Sequence, residues 1–199
     1  MRIGVDFDNT IANYDGVFHA AALERGLIAG DLPTGKNAVR DFLNGSGRKD
    51  DFTELQGYVY GSRMELARPY PGFSEFVTAA RGAGHDIFII SHKTRYPILG
   101  PRHDMHEAAR GFLRDRKLAG DDAVPLSQIF FEETKEQKIA RAAAVNVEAF
   151  IDDLPEILAM PGLSGRRRIL FAPNGTSEAR FEVAGSWHDI ARLLLGVAR

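Results

Sequence analysis

Short apolar runs alternate with amphipathic stretches along most of this chain, and that alternation predicts its layout. The runs at 2–6, 87–90, 128–131, 147–151 and 168–171 are rich in branched and aromatic side chains, and the first four lead into polar residues. Short apolar runs of this kind are strands buried on both faces of a parallel sheet. A shorter run at 181–183 predicts a sixth strand. Helical spacing covers 73–81, 103–117, 134–145 and 186–195, with Ala108, Phe112 and Leu113 on one face of the second. Thr134 and Gln137 have the spacing of a capping box, and Pro155 suits the first turn of a helix, where its missing N–H has no intrahelical partner.

Residues 13–69 interrupt the alternation. Their apolar positions follow helical spacing, at Val17, Phe18 and Ala21, at Val39, Phe42 and Leu43, and at Phe52, Leu55 and Val59, with breaks at 30–36 and 45–51. No strand pattern falls in this stretch. The expected class is therefore α/β: a Rossmann-like parallel sheet of five to six strands with helices on both faces. Residues 1–12 and 70–199 form that core, and a small all-helical module, 13–69, is inserted after the first strand.

Composition narrows the function only by exclusion. The 199 residues are 44% hydrophobic and 26% charged with a net charge of −2, so neither disorder nor a polybasic nucleic-acid surface is expected. There is no cysteine, which removes disulfides, thiolate metal sites and a cysteine nucleophile. No apolar run approaches the ~18–20 residues of a membrane span. A cytoplasmic protein with no membrane or nucleic-acid polymer as partner is the expectation, and nothing in the chain sets an oligomeric state.

The chemistry lies where the strands end. Asp6 and Asp8 follow the first strand, Ser91 ends the second, Lys138 lies just past the third, and Asp152 and Asp153 end the fourth. In a parallel sheet those ends share one edge, so residues distant in sequence converge there. Several carboxylates gathered together repel one another unless a cation joins them, and oxygen ligands favour a hard ion such as Mg2+. A hydroxyl and an ammonium beside them are suited to phosphoryl oxygens.

These residues resemble the motifs of the haloacid dehalogenase superfamily. Asp6-Phe7-Asp8-Asn9-Thr10 is similar to its DxDxT motif, Ile89-Ile90-Ser91 to its strand-borne Ser/Thr, Lys138 to its lysine, and Ile151-Asp152-Asp153 to its acidic motif. The resemblance implies a Mg2+-dependent phosphomonoester hydrolase acting on a small phosphorylated metabolite such as a nucleotide or sugar phosphate. It assigns Asp6 as nucleophile, Asp8 as general acid and base, and Ser91 and Lys138 as phosphate contacts. Asp6, the Asp8 carbonyl and Asp153 or Asp152 would hold the metal. Dehalogenase members lack an acid at the position of Asp8, because halide leaves without a proton. Lys135 is a second candidate for the lysine, and the order of Asp152 and Asp153 is open. The alternatives are a phosphotransferase or phosphomutase of the same superfamily, or a non-catalytic or receiver-like phosphate-binding module.

Substrate contacts are sought in two places. The resemblance makes the helical module a cap, where Gln56, Tyr60 and Arg63 fall at i, i+4 and i+7 on one face of its third helix, with Arg63 as an anion contact. Lys93 and Arg95 follow Ser91 in a segment, 92–117, that carries seven Lys and Arg against three acids. No histidine pair has metal-ligand spacing, so zinc is not expected.

Overall fold

The computed structural model describes residues 1–196. Six strands form one all-parallel sheet in the order β5-β4-β1-β6-β7-β8. These are β1 (Arg2–Val5), β4 (Asp86–His92), β5 (Ile129–Glu132), β6 (Ala149–Asp152), β7 (Arg167–Phe171) and β8 (Glu182–Ala184). Two further strands of two residues each, β2 (Ala12–Asn13) and β3 (Arg68–Pro69), pair with one another, in a region expected to be wholly helical.

The chain divides into two compact units. One comprises residues 1–12, 69–93 and 116–199; the other comprises 13–68 and 94–115. The first holds the sheet with α4 (Phe73–Gly82), α6 (Lys135–Ala144), α7 (Pro155–Leu158) and α8 (Trp187–Leu195). Helices cover both faces. Phe88, Ile90, Phe150 and Leu170 pack with Ile139 and Ala142 of α6 and with Ile157 and Leu158 of α7. Phe171 is the strand neighbour of Leu170 and points the other way; its ring lies 5.6 Å from Trp187 of α8, which also meets Phe73 and Phe76 of α4 at 4.8 and 5.1 Å.

β1 is the central strand because β4 and β6 flank it. The register pairs Gly4 with Phe88 on one side and Phe150 on the other. Glycine is required there: a Cβ on Gly4 would stand 2.5 Å from the Phe150 ring. The chain passes from β1 to β4 on one side and later returns to β6 on the other. That reversal makes the carboxyl end of β1 a topological switch point, the place where open α/β sheets bind ligands.

The second unit is built on α1 (Val17–Glu24), α2 (Lys36–Gly45), α3 (Lys49–Tyr60) and α5 (Met105–Asp115). Phe18, Leu43, Leu55 and Val59 are fully buried in it. Residues 94–115 belong to this unit, whereas the sequence pattern places them with the sheet. A glycine within α3 accounts for their packing here, because a Cβ on Gly57 would lie 2.5 Å from the Pro97 ring. A mid-helix glycine costs about 1 kcal/mol of helix propensity relative to alanine, and here it admits Pro97 against the helix.

Candidate active site

The turn after β1 carries the first motif. The Asp6 N–H donates to the Ile151 carbonyl at 2.9 Å, prolonging the β1–β6 ladder by one rung. The chain then folds back sharply: the Ile11 and Ala12 N–H groups both donate to the Phe7 carbonyl, at 3.0 and 2.9 Å. Asn9 makes this possible by adopting φ 58°, a left-handed conformation that Asn tolerates better than most residues. Trp187 anchors the turn from α8, its indole N–H donating to the Thr10 carbonyl at 3.1 Å.

Three elements bring side chains to Asp6. The Ser91 hydroxyl, at the end of β4, donates to Asp6 Oδ1 at 2.9 Å. Lys138, in the first turn of α6, donates to the same oxygen at 2.5 Å and to Asp152 Oδ2 at 2.6 Å. The capping box predicted at Thr134 and Gln137 is present, with both reciprocal bonds at 3.1 Å, and it fixes the start of that helix. Asp152 Oδ1 accepts from the Leu154 N–H at 2.9 Å, so both its oxygens are engaged. Asp153 completes an acidic group in which one carboxylate oxygen each from Asp6, Asp152 and Asp153 lie within 4.8 Å of one another.

Of the two candidate lysines, Lys138 meets the acids. Lys135 pairs instead with Glu156 at 3.6 Å, with side chains 42% and 57% exposed.

Asp8 has a partner that sequence reasoning placed elsewhere. Lys93 Nζ lies 2.8 Å from Asp8 Oδ2 and 3.0 Å from Oδ1. Its side chain is 2% exposed, whereas that of Asp8 is 20% exposed. The equal spacing of the two cross-strand contacts, Asp6 to Ser91 and Asp8 to Lys93, is the signal that could have found it. Each spans 85 residues, and side chains two apart along a strand share a face.

The remaining expected contacts are drawn to local partners. α3 ends at Tyr60, so Arg63 does not continue its face; the guanidinium binds Glu24 and Glu65. Arg95 pairs with Asp104 at 2.9 Å, and Asp104 in turn accepts from the Glu107 N–H at 2.9 Å in the first turn of α5.

Three carboxylates and one ammonium share this buried region, leaving negative charge in excess. Burial works against a charged Lys138, but the Asp152 and Asp6 carboxylates outweigh it and hold the ammonium form. Burial pushes the Asp152 carboxyl up, and Lys138 and the Leu154 N–H pull against that rise. Asp153 is pushed up to about 8, by burial first and then by the Asp6 and Asp152 charges. Lys138 at 2.6 Å opposes the rise at Asp152, so a proton bound by this cluster is held more readily at Asp153. A cation held by these oxygens would take that proton's place. The donor set is entirely carboxylate oxygen, which fits a hard ion.

The chain has the fold of haloacid dehalogenase superfamily hydrolases. Similar solved structures include a haloacid dehalogenase-like hydrolase from Streptococcus pneumoniae, 14% identical, with a TM-score of 0.64 over 96% of this chain and 97% of that one. A family hydrolase from Deinococcus radiodurans with bound phosphate and sodium is 15% identical, with a TM-score of 0.60 over 98% and 95%. A dehalogenase is 14% identical, with a TM-score of 0.56 over 97% and 96%. No family model matches the chain, and no curated protein is similar to it in sequence. Among the described residues, no helix is long and apolar enough to cross a membrane.

Proposed function

We propose that this chain, with its haloacid dehalogenase fold, is a Mg2+-dependent phosphomonoester hydrolase that works through an aspartyl-phosphate at Asp6. The observation that carries the proposal is the convergence of Ser91 and Lys138 on one oxygen of Asp6, with Asp152 and Asp153 beside it. A hydroxyl and an ammonium that meet at a carboxylate are placed to hold the oxygens of a phosphoryl group arriving there.

Asp6, the Asp8 main-chain carbonyl and Asp153 would hold the Mg2+, with Asp152 holding Lys138, since both Asp152 oxygens are already engaged. The ion would offset phosphoryl charge and favour attack by an anionic carboxylate. Asp6 attacks phosphorus, and Asp8 gives its proton to the leaving oxygen. Water then attacks the aspartyl-phosphate, passing a proton to Asp8, and phosphate is released with Asp6 restored. The substrate is a small organic phosphate, with nucleotides and sugar phosphates the first to try.

The dehalogenase among the structural relatives raises a second chemistry. Asp8 argues against it, because halide needs no proton from an acid at that position. A panel of phosphomonoesters assayed with Mg2+ and with a chelator tests the reading. Phosphate release that depends on Mg2+ is expected; release of chloride from a haloacid with no phosphatase activity would overturn it, and transfer to an added alcohol in place of water would make the enzyme a phosphotransferase.

A further inference from the structure

We propose that Lys93 is a positioning residue: it holds the Asp8 carboxyl in the orientation from which that group exchanges a proton with the leaving oxygen. The inference rests on the phosphohydrolase reading and adds to it a residue to which that reading gives no role at phosphate or metal.

Four observations on Lys93 carry it. Its Nζ reaches both oxygens of Asp8, at 2.8 and 3.0 Å, so rotation of the carboxyl about its own bond is restrained as well as its position. Its backbone is fixed, because the Lys93 N–H donates to the Glu132 carbonyl at 2.8 Å and extends the β4–β5 ladder. Its ammonium lies 5.6 Å from the centre of the Phe7 ring, which is fully buried and packs edge-on against Phe131 at 5.5 Å. Its side chain is 2% exposed, so water does not compete with Asp8 for its N–H groups, and the carbonyl oxygen of a protonated Asp8 still accepts from it.

The step is a transfer of phosphoryl from the substrate oxygen to Asp6. An Asp6 oxygen forms the new bond to phosphorus, the bond from phosphorus to the leaving oxygen breaks, and its electron pair is taken up with the proton of Asp8. A leaving group that is stable as an anion has little use for that proton. An alkoxide needs it. Loss of Lys93 should therefore matter in proportion to the basicity of the leaving oxygen, because general acid catalysis contributes roughly 10²–10⁴-fold only where a proton is required.

The test is kcat/KM, which reports the phosphoryl-transfer half of the reaction, for Lys93→Met and the wild-type enzyme on p-nitrophenyl phosphate and on alkyl phosphates. The expected result is a loss of at least about tenfold on alkyl phosphates and little change on p-nitrophenyl phosphate, with partial recovery in Lys93→Arg. Equal losses on both substrates, in a variant shown to be folded by its circular dichroism, would overturn the positioning role while leaving the hydrolase reading intact. If Lys93→Met does not fold, Lys93→Arg carries the same comparison: a guanidinium displaced from the ammonium's place must again hurt the alkyl substrates more, and a uniform loss overturns the role. A wild-type enzyme inactive on both substrates removes the hydrolase reading and this role with it.

Discussion

Lys138 and Asp152 are fourteen residues apart in sequence and 2.6 Å apart in space. The chain between them is α6, which begins just before Lys138, and β6, which ends at Asp152. This short helix and strand return the chain to the sheet edge from which it left, and Lys138 uses the return to bridge Asp152 and Asp6.

Replacing Lys138 with Met should therefore be costly. It strands two buried carboxylates, and breaking a buried ion pair from one side costs about 3–5 kcal/mol. Urea denaturation should show a loss of that order, while Lys135→Met, at an exposed site, should stay within ~0.5 kcal/mol of the wild type. Similar losses in the two variants would mean that Lys138 is not the partner of these acids.

The raised Asp153 carboxyl links stability to pH. Its folded value of about 8 lies above its ordinary value of 3.8, so between those limits the folded chain holds a proton that the unfolded chain has released. The metal-free protein should lose stability as pH rises through that window and level off above it. Mg2+ replaces the proton, so it should raise Tm more at the top of the window than near its middle. A Tm shift with Mg2+ that is the same throughout would count against Asp153 as a ligand.

Gly4→Ala should destabilise the fold without touching the site. The added methyl would meet the Phe150 ring at 2.5 Å, and overpacking of this kind costs about 1–3 kcal/mol. A thermal melt no lower than that of the wild type would show that the ring can move aside at no cost.

Trp187 offers a subtler probe. Trp187→Phe keeps an aromatic ring against Phe73 and Phe76 but removes the donor to the Thr10 carbonyl, leaving a buried acceptor unpaired at a cost of roughly 1–3 kcal/mol. Because Thr10 closes the turn that carries Asp8, kcat should fall along with stability. Unchanged kcat at full folding would confine Trp187 to the core.

The core of the site was legible because parallel strands bring their carboxyl ends to one edge, so the strand-end residues Asp6, Ser91 and Asp152 had to meet. The capping box at Thr134 likewise located Lys138 in a first helical turn. Other features depended on packing that spacing does not encode. The spacing from Gln56 makes Arg63 a helical position, but α3 stops at Tyr60 and the side chain turns to Glu24. Residues 94–115 pack with the helical unit, through the approach of Pro97 to Gly57. The basic character of 92–117 points Lys93 toward substrate, whereas its ammonium is buried against Asp8. Trp187 lies 177 residues from Thr10, and no local pattern ties the two.

The central claim is covalent attack by Asp6, and trapping tests it most directly. The protein is mixed with Mg2+ and a phosphomonoester that it turns over, then quenched with borohydride, which reduces an aspartyl-phosphate to homoserine, and its peptides are weighed. Homoserine at position 6, absent without substrate and absent in Asp6→Asn, is the predicted result. Sustained turnover by Asp6→Asn, or reduction at a different aspartate, would contradict it.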